Sequence, residues 1–528
     1  MLVVGGGIYG LTIAYDAAQR GLSVALVERD DFGSGSSFNH LRTIHGGLRY
    51  LQSLDLSRAR ESLRERRTTA RIAPHAVRPL RFVLPLERSL TRGPGAMFAG
   101  FALDRIVAAD RNRRVLASHR LPAGRVMSRR EALAQFPGLD ARGLVGAAVW
   151  YDYVTIEADR LTLAYAIAAA GHGAVMANYV QAAELVASEG RVTGIRAVDA
   201  LSGGSLDVSA RVTVNAAGSA VDHLLEPLGV ATRMPMLKAM NLVTRRPAAN
   251  FAMGGRSASG RNLFLVPWRG RALFGTWESG AACSPDDRRV TRAEVDAFLA
   301  ELNQAFPSVA LTPDDVTLVH RGVVPAVAVN GRVALQGHEQ IRDHAKEGVE
   351  GLVSVVGAKY TTARGVAERV TDQLLTKLAQ PPIASRTATA PLPGGDIDDV
   401  ARLTAAAWRD LPEAADDTIE HLVAAYGSQY PGIGQLCREH PGRSTRLSPD
   451  SPVIAAELVW AVRHEMAMTL RDAVMRRTPL GALGYPGDEV LVRAAAVVGE
   501  ELGWSAARRD EEAAAVKAFY ALAPPTAP

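Results

Sequence analysis

The stretch at residues 43–51 combines the side chains that a redox pocket for an anion needs. Its adjacent glycines, Gly46 and Gly47, let the backbone approach a flat ligand closely. A histidine, an arginine and a tyrosine surround them and supply a titratable group, a fixed fork of donors and a hydroxyl. The candidate catalytic residues of this stretch are His45, Arg49 and Tyr50.

A glycine-rich turn stands earlier, at the start of the chain. Residues 1–4 read as a short apolar strand, residues 5–10 read GGGIYG, and residues 11–20 continue as a helix. This order is the dinucleotide-binding fingerprint, because the first glycine makes the tight turn, the second lets the pyrophosphate reach the helix amides, and the third permits close helix packing. The turn predicts nucleotide contacts from Gly5, Gly6, Gly7, Ile8, Tyr9 and Gly10.

An acidic residue follows this turn at the expected distance. A second predicted strand at residues 23–27 ends in Glu28. The carboxylate lies about twenty residues after the glycines, where it accepts both ribose hydroxyls of a nucleotide. The turn and the acid together predict a bound dinucleotide but leave FAD and NAD both open.

The chain resembles the FAD-dependent glycerol-3-phosphate dehydrogenases, a family of the D-amino-acid-oxidase-like flavoproteins. The family's motif IHGGLRYL stands unchanged at residues 44–51. The run LFLVPWRGRALFGTWE, at residues 263–278, is similar to the family's apolar strand, PW turn and GTTD hairpin. RHE and RRTPLG, at residues 463–465 and 476–481, resemble parts of its C-terminal helical domain. The resemblance covers nearly the whole chain and implies FAD as the cofactor.

Two late segments favour FAD over NAD. Residues 212–218 (VTVNAAG) read as a buried strand, and residues 351–364 (GLVSVVGAKYTTAR) as a strand, a glycine turn and the start of a helix. In flavoproteins of this type such returning segments complete the flavin cradle, whereas NAD domains are usually contiguous. The resemblance implies further cofactor contacts from Arg42, Thr43, His45, Val180, Ala217, Gly218, Gly357, Lys359, Tyr360, Thr361 and Thr362.

The resemblance also implies roles on the substrate side. His45 is expected close to the flavin, with Arg49 and Tyr50 facing the substrate. Arg342 matches the second arginine of the family's TRDY motif, and Lys359 matches the lysine of its GGKLTT motif. We therefore expect Arg49 and Arg342 to anchor the anionic end of the substrate and Lys359 to act as an active-site cation, although each residue could instead be structural.

Three positions depart from the family's pattern, all on the substrate side. Asn241 replaces a histidine that is proposed as a base, and an amide cannot take a proton at neutral pH. Val324 replaces the arginine of a GVRP motif, although Arg321 lies close by, and Trp277 adds a bulky aromatic to the GTTD hairpin. Asn241 and Arg321 complete the candidate catalytic residues. Either the substrate differs, or proton removal falls to a neighbour, for which the candidates are His45, His320 and Glu278.

The predicted fold is α/β, with an FAD-binding Rossmann-like domain, an inserted antiparallel substrate sheet and a C-terminal all-α domain. The oxidoreductase domain is predicted over residues 1–385, with the sheet inserted mainly at residues 75–150 and 230–335. A proline and glycine junction at residues 391–395 separates it from a helical domain over residues 395–520. In that domain two arginines read as helix-end and interdomain contacts rather than catalytic groups: Arg476 and Arg477.

Composition bounds the partners. The net charge of +5, an excess made mostly of arginine, fits an anionic substrate, a membrane surface or simple solubility. The cysteines, Cys283 and Cys437, lie far apart in sequence, which argues against a disulfide framework and a thiolate metal cluster. We expect no metal, no nucleic acid and, since no signal peptide precedes the glycine turn, a cytoplasmic location.

Three segments bear on membrane contact. Residues 161–183 are free of charge, but their internal glycines favour a helix, a turn and a buried strand over a membrane span. Residues 96–109 are apolar and bracketed by arginines, so an interfacial helix and a core-facing helix are both open. Residues 55–73 carry arginines among Glu61 and Glu65, which predicts a solvated, salt-bridged helix face.

The sequence therefore predicts an FAD-dependent dehydrogenase that oxidises sn-glycerol 3-phosphate to dihydroxyacetone phosphate by hydride transfer to the flavin. An enzyme of the same fold that acts on another hydroxy or amino acid is the alternative, and a flavin-binding protein without turnover is a third interpretation. Quinone, oxygen and a partner flavoprotein are all open as electron acceptors. A peripheral position on the inner face of the cell membrane and a homodimer are compatible with the sequence, and residues 521–528 read as disordered.

Overall fold

The computed structural model describes residues 1–48, 50, 54–329 and 332–523, so Arg49 and residues 524–528 of the predicted disordered tail lie outside the described residues. Its strands are β1 (Leu2–Val4), β2 (Ala25–Val27), β3 (Thr43–Ile44), β4 (Val77–Leu86), β5 (Arg125–Ser128), β6 (Gly146–Thr155), β7 (Val175–Ala177), β8 (Val180–Ser188), β9 (Arg191–Asp199), β10 (Ser205–Ser209), β11 (Thr213–Asn215), β12 (Met236–Pro247), β13 (Phe251–Arg256), β14 (Asn262–Trp268), β15 (Arg271–Glu278), β16 (Val316–Val329), β17 (Arg332–Leu335), β18 (Gln340–Asp343) and β19 (Leu352–Val356). Its α-helices are α1 (Ile8–Gln19), α2 (Leu56–Ile72), α3 (Pro94–Val107), α4 (Arg129–Gln135), α5 (Ala158–Gly171), α6 (Val221–Leu225), α7 (Arg292–Ala305), α8 (Ala363–Lys377), α9 (Val400–Asp410), α10 (Asp416–Tyr426), α11 (Tyr430–Glu439), α12 (Ala455–Glu465), α13 (Leu470–Asp472), α14 (Asp488–Leu502) and α15 (Ala506–Phe519).

A six-stranded sheet forms the base of the nucleotide-binding domain. Its order is β18-β19-β11-β1-β2-β7, with every pair parallel except β18 and β19. Helix α1 contacts both α5 and α8, and all its residues but the last are buried, as expected of a helix that is apolar all round. The late strand β11 lies beside β1 and β19 lies beside β11, so segments that return late in the chain complete this sheet.

A larger sheet carries the substrate side. Its order is β17-β16-β12-β15-β14-β13-β4-β6-β3, with β5 on β6, and its pairs are antiparallel except β13 with β4. The predicted strands at residues 263–268 and 272–277 are β14 and β15. Helix α7 packs on one face through residues such as Phe298 and Leu302, and the opposite face meets the loop that follows β2. The sheet thus lies between α7 and the nucleotide-binding domain.

The helical part begins at Val400 and runs to Phe519, with α10 to α12 around one apolar core. The turn that follows α13 is a π-helix over Ala473–Arg477. Buried ion pairs join this part to the oxidoreductase domain, as between Arg160 and Glu465, whose nearest atoms are 2.7 Å apart. The fold class is as predicted, and we propose residues 1–385 and 395–520 as the domain bounds.

The charged helix α2 differs from its prediction. Glu65 and Arg66 are buried rather than solvated, and their partners lie on other elements instead of four residues away. Glu65 pairs with Arg364 of α8, and Arg66 pairs with Asp152 of β6. The helix is charged because its ion pairs connect it to α8 and to β6. The spacing of charges within one helix cannot show partners on other elements.

The apolar helix predicted over residues 96–109 is α3, and it has two faces. Met97 and Phe101 are buried, whereas Phe98 is 70% and Ile106 76% exposed. The core-facing interpretation is therefore correct for one face, and membrane contact of the exposed face stays a prediction. Residues 161–183 form the end of α5, a turn and β7, as predicted, and none of the described helices is long and apolar enough to span a bilayer.

Candidate active site

The glycine turn after β1 has the geometry that its three glycines predict. Gly5 has a φ of 104°, and a Cβ there would lie 2.5 Å from the carbonyl oxygen of Ala216. A Cβ on Gly10 would overlap the carbonyl of Gly5, so this glycine lets α1 pack on the turn. Around Gly7 only Ser37 Oγ comes within 4 Å of such a Cβ. Gly7, the N-cap residue of α1, makes no side-chain cap, but Ser37 Oγ accepts from the N–H of Ile8 at 2.9 Å, so the loop after β2 shares this N-terminus with an anion that binds there.

Glu28 lies at the end of β2, beside this turn. Its carboxylate accepts hydrogen bonds from the backbone N–H groups of Gly6 at 2.6 Å and Asp30 at 2.9 Å. Burial raises the pKa of Glu28, while these two donors favour the ionised form. The carboxylate is therefore fixed in place at the pocket wall, where a ribose can reach it.

A single cleft brings most of the predicted cofactor residues together. Those that line it are Gly5, Gly7, Ile8, Tyr9, Glu28, Val180, Ala217, Gly218, Gly357 and Tyr360. The sequence did not point to several further lining residues, among them Ser34, Ser36, Ser37, Asn39, His40, Gln181, His223 and Arg288. The serines, Asn39 and His40 belong to the loop after β2, which carries serines and glycines without a recognisable spacing. Gln181, His223 and Arg288 come from elements distant in sequence.

The cleft fits FAD by its chemistry. It offers the N-terminus of α1 to a pyrophosphate and the carboxylate of Glu28 to a ribose. The ring of His40 stacks on that of Tyr360, with centroids 4.5 Å apart, and within the described part of the chain its Nε2 is buried without a hydrogen-bond partner. Such an atom is satisfied once a polar ligand occupies the cleft.

Other predicted cofactor residues lie behind the wall of the cleft. Gly6 and Gly10 shape the turn, and the remaining members of this group are Arg42, Thr43, His45, Lys359, Thr361 and Thr362. Arg42 is fully buried between the rings of Phe38 and Trp268, and its guanidinium pairs with Asp159 at 2.9 Å. It therefore holds the sheet against α5, a role that the family resemblance did not imply.

The Gly46–Gly47 pair lies against α2, which leaves no room for a Cβ at either glycine. A Cβ on Gly46 would lie 2.6 Å from Cζ of Arg66, and one on Gly47, whose φ is 78°, would lie 2.8 Å from Cβ of Ser62. The close approach of this backbone to a flat ligand stays a prediction; the close protein neighbour is a helix distant in sequence, which the sequence did not indicate. Arg58, Ser62 and Arg66, which share one face of α2, contact Tyr50, Lys359 and Asp152 respectively.

His45 is held by a buried carboxylate that the sequence did not point to. Its Nδ1 lies 3.4 Å from Oδ2 of Asp152, and its Nε2 lies 2.6 Å from Oγ1 of Thr43. The Asp152 carboxylate also accepts from Arg66 at 2.5 Å and from the N–H of Gly46 at 2.7 Å. Although burial opposes ionisation, Arg66 and His45 hold the pKa of Asp152 below its ordinary value of 3.8. The imidazole, with its side chain 41% exposed, thus has a fixed charged partner.

Two cations lie close to the ring of Tyr50. Nζ of Lys359 lies 4.4 Å and Cζ of Arg58 lies 4.3 Å from its centroid. Lys359 also donates to Oγ of Ser62, while its backbone carbonyl accepts from Tyr9 in the FAD cleft. Lys359 therefore links the cleft to Tyr50 and to Ser62 of α2. Its role as an active-site cation stays a prediction. Arg58 was not predicted, since nothing in the sequence separates it from the other arginines of α2.

Asn241 is fully buried in β12 and satisfied. Its Nδ2 donates to Oδ1 of Asn39 at 3.0 Å, and its Oδ1 accepts from Oγ1 of Thr276 at 2.9 Å. Asn39 in turn donates to the carbonyl of Ala239 at 2.8 Å. The amide therefore joins the sheet to the loop that walls the cleft, and it lies so close to Gly275 that a Cβ there would overlap its Oδ1.

Two of the predicted cations are engaged elsewhere. Arg321 donates to the carbonyl oxygens of Phe519 and Ala521 at the end of α15. Arg342 pairs with Glu347 at 2.5 Å on the edge strand β18. The structure does not bring either guanidinium to the Tyr50 cluster, because β16 and β18 direct them toward the helical part and solvent.

The remaining departures have different surroundings. Trp277 is 8% exposed and packs in the apolar core under α7, on the sheet face opposite Asn241, so its size does not alter the cleft. Val324 does line the cleft. His320 is fully buried beside Arg42, and burial together with that guanidinium lowers its pKa well below the ordinary range. It is thus neutral and closed off from a substrate.

Comparison with known proteins agrees with this geometry. The chain matches the family model "FAD dependent oxidoreductase" over residues 1–373 and the model "C-terminal domain of alpha-glycerophosphate oxidase" over residues 385–509. It is 32% identical over 531 residues to the glycerol-3-phosphate dehydrogenase of Synechocystis sp., with 97% of this chain and 94% of that protein covered. It is 31% identical over 544 residues to the mitochondrial enzyme of Macaca fascicularis, with 98% and 72% covered.

Solved structures show the same fold. The glycerol-3-phosphate dehydrogenase from Bacillus halodurans, solved in complex with FAD, superposes with a TM-score of 0.75 at 24% identity, covering 98% of this chain and 94% of that one. The glycine turn, the fixed Glu28 and the full-length matches lead to one conclusion. This chain is an FAD-dependent oxidoreductase that belongs to the glycerol-3-phosphate dehydrogenase family.

Proposed function

We propose that this protein oxidises sn-glycerol 3-phosphate to dihydroxyacetone phosphate. One observation carries the proposal: a histidine with a carboxylate partner and a pair of cations lie near the Gly46–Gly47 turn, and the backbone of one of those cations, Lys359, is bonded to Tyr9 of the FAD cleft. The names of the full-length relatives support the choice of substrate. When bound, FAD supplies the acceptor for the hydride that leaves C2 of the substrate.

His45 is the proposed base for the proton of the C2 hydroxyl. If Nδ1 donates to Asp152, the lone pair of the imidazole is on Nε2, where the hydroxyl of Thr43 donates to it. A substrate hydroxyl in the place of that threonine contact would transfer its proton to Nε2 as the hydride departs. Asp152 then stabilises the imidazolium, so no histidine is needed at position 241.

Lys359 and Arg58 are the proposed anchors of the phosphate, together with the predicted Arg49. Among the described residues Arg58 has no carboxylate partner, whereas Arg60 and Arg66 of the same helix are paired with Asp110 and Asp152. A guanidinium that is left unpaired beside a lysine favours an anion. Arg58 would thereby compensate for the arginine missing at position 324.

The outer face of α3 is the proposed contact with an anionic membrane surface. A quinone in that membrane would take the electrons that FAD has accepted from the substrate. Phe98 and Ile106 project from it, and Leu90, which is 99% exposed, precedes it. Cations also gather near the C-terminal end of α3. Burial and the guanidiniums of Arg67, Arg114 and Arg113 lower the pKa of Arg71, which lies on α2. Apolar side chains next to cations are what an anionic bilayer binds.

Flotation with vesicles tests this surface. The parent protein should float with vesicles that contain phosphatidylglycerol and not with purely zwitterionic ones. Phe98→Glu with Ile106→Glu should abolish flotation with the flavin retained, whereas Val492→Glu, a matched change of an exposed side chain on α14, should not. Phe101 is unsuitable because it is buried. Equal flotation of both variants would contradict the proposed surface.

Anaerobic mixing tests the proposed reaction. The purified holoenzyme should lose its visible flavin absorbance with sn-glycerol 3-phosphate and keep it with glycerol, glycine, proline and other hydroxy or amino acids. Loss of colour with another compound, and not with glycerol 3-phosphate, would assign a different substrate to the same fold. Unchanged absorbance with every compound would leave a flavin-binding protein without turnover.

A further inference from the structure

The C-terminal part of the chain is attached directly to the loop that walls the FAD cleft. Asp31, three residues after Glu28, is fully buried. Its Oδ1 and Oδ2 each accept from Arg477 at 2.7 Å, and Oδ2 also accepts from Nε of Arg476 at 2.6 Å. Asn178 adds a fourth donor at 3.1 Å. One carboxylate of the cofactor loop thus holds two guanidiniums from the π-helical turn.

Asp31 lies where a displacement would reach the cofactor. The next residues fold over the glycine turn: the ring of Phe32 lies against Gly6, and the N–H of Gly33 donates to the carbonyl of Gly6 at 2.8 Å. The loop then continues to Ser37, whose Oγ accepts from the N–H of Ile8 at 2.9 Å, at the N-terminus of α1. Asp31 is therefore the fixed point between the ribose acid and the serines of the cleft.

A second attachment holds the other side of Glu28. Tyr179 donates to Oδ1 of Asp472 at 2.8 Å, and Asp472 pairs with Arg476 at 2.5 Å. The N–H of Tyr179 donates to the carbonyl of Asp30, and the N–H of Val180, a cleft residue, donates to the carbonyl of Glu28. The segments on both sides of the ribose acid are thus attached to the same helical turn.

The cluster is balanced in charge but expensive to bury. Two carboxylates and two guanidiniums compensate one another, and despite burial the arginines hold the pKa of Asp31 below its ordinary value. Apolar residues of similar volume would join two domains at no greater cost, so a buried ionic cluster is weak as a mere adhesive. Its directional hydrogen bonds do fix one position of the loop.

We propose that Arg476 and Arg477 are positioning residues for FAD: by holding Asp31 and Asp472, the helical domain keeps the cofactor loop closed over the glycine turn. Neither arginine lines the cleft. Loss of the attachment therefore weakens FAD binding from a distance, and the C-terminal domain takes part in cofactor retention.

Isosteric neutralisation of matched carboxylates tests the proposal. Asp31→Asn removes the charge that holds the loop, and Glu65→Gln removes one from another buried carboxylate that accepts two bonds from one arginine, Arg364, and contacts neither the loop nor the π-helical turn. The full-length apoprotein is titrated with FAD by flavin fluorescence, and apo and holo forms are melted. Both variants should lower the melting temperature, but only Asp31→Asn should raise the Kd for FAD, by about tenfold or more.

A milder variant covers the case in which Asp31→Asn does not fold. Tyr179→Phe deletes one hydroxyl that donates to Asp472 and should raise the Kd for FAD by about threefold to tenfold, with the KM for substrate unchanged at saturating FAD. An unchanged Kd in Tyr179→Phe, or an equal rise in Asp31→Asn and Glu65→Gln, would overturn the proposal and leave the cluster a structural contact only.

Discussion

Oδ2 of Asp152 lies 3.4 Å from Nδ1 of His45, and the same carboxylate is bonded to Arg66 and to the backbone N–H of Gly46 in the Gly46–Gly47 turn. One buried group thus orients the candidate base, neutralises a buried arginine and fixes the turn. These three functions can be separated by experiment, because they respond differently to mutation and to pH.

Asp152→Asn should impair catalysis more than binding. The amide keeps the shape but cannot stabilise the imidazolium of His45, so kcat/KM should fall by about ten- to a hundredfold with FAD retained. The loss should lie in kcat, and the pH profile of kcat should shift. Asp140→Asn, which changes a surface pair with Arg142, is the control. Parent-like kinetics in Asp152→Asn would assign the base elsewhere.

Asp152 should also contribute to acid stability. Its folded pKa is lowered below 3.8, so its stabilising contribution is complete above that pH and is lost as the pH falls through the folded value. Asp152→Asn should therefore melt at a lower temperature than the parent at pH 7, and the two melting temperatures should converge well below pH 3.8. A difference that stays constant down to acid unfolding would show that the charge of Asp152 does not contribute.

Gly46→Ala should disrupt the site although it removes no polar group. Its methyl would collide with the guanidinium of Arg66, so either α2 or the turn must move. We expect a loss of about 1–3 kcal/mol in the free energy of unfolding together with reduced turnover. Gly95→Ala, in α3, meets no atom within 4 Å and should be neutral or slightly stabilising in a urea titration. Equal stability of the two variants would refute the steric argument.

The phosphate anchors should reveal themselves in KM. Lys359→Ala and Arg58→Ala each remove a charge-assisted contact worth about 1.5–3 kcal/mol, so kcat/KM should fall by about ten- to a hundredfold, chiefly through KM. Arg342→Ala is the matched comparison, since that guanidinium is already paired with Glu347. A larger loss in Arg342→Ala than in Lys359→Ala would restore the anchor that the sequence predicted.

The nucleotide half of the site could be predicted because its constraints are local. The roles of Gly5, Gly7, Gly10 and Glu28 follow from spacing along one strand, one turn and one helix, and the structure has the same geometry. The return of the segments that form β11 and β19 to this domain could be predicted because the family pattern carries them.

The substrate half could not be predicted, because it depends on pairs far apart in sequence. Arg66 and Asp152 meet across two elements, and so do Lys359 and Ser62. A clue was present in the sequence: Asp152 is a lone acid in an apolar and aromatic strand, and such a buried charge needs a partner. Asn241 and Trp277 are departures that the sequence assigned to the substrate, but both are explained by packing.

The most direct test is anaerobic stopped-flow reduction of the holoenzyme with sn-glycerol 3-phosphate and with the same compound deuterated at C2. The proposed reaction predicts complete loss of the flavin absorbance, one dihydroxyacetone phosphate formed for each FAD, and slower reduction with the deuterated substrate, since the C2–H bond breaks in that step. Flavin that stays oxidised, or that is reduced at the same rate by both substrates without formation of dihydroxyacetone phosphate, would contradict it.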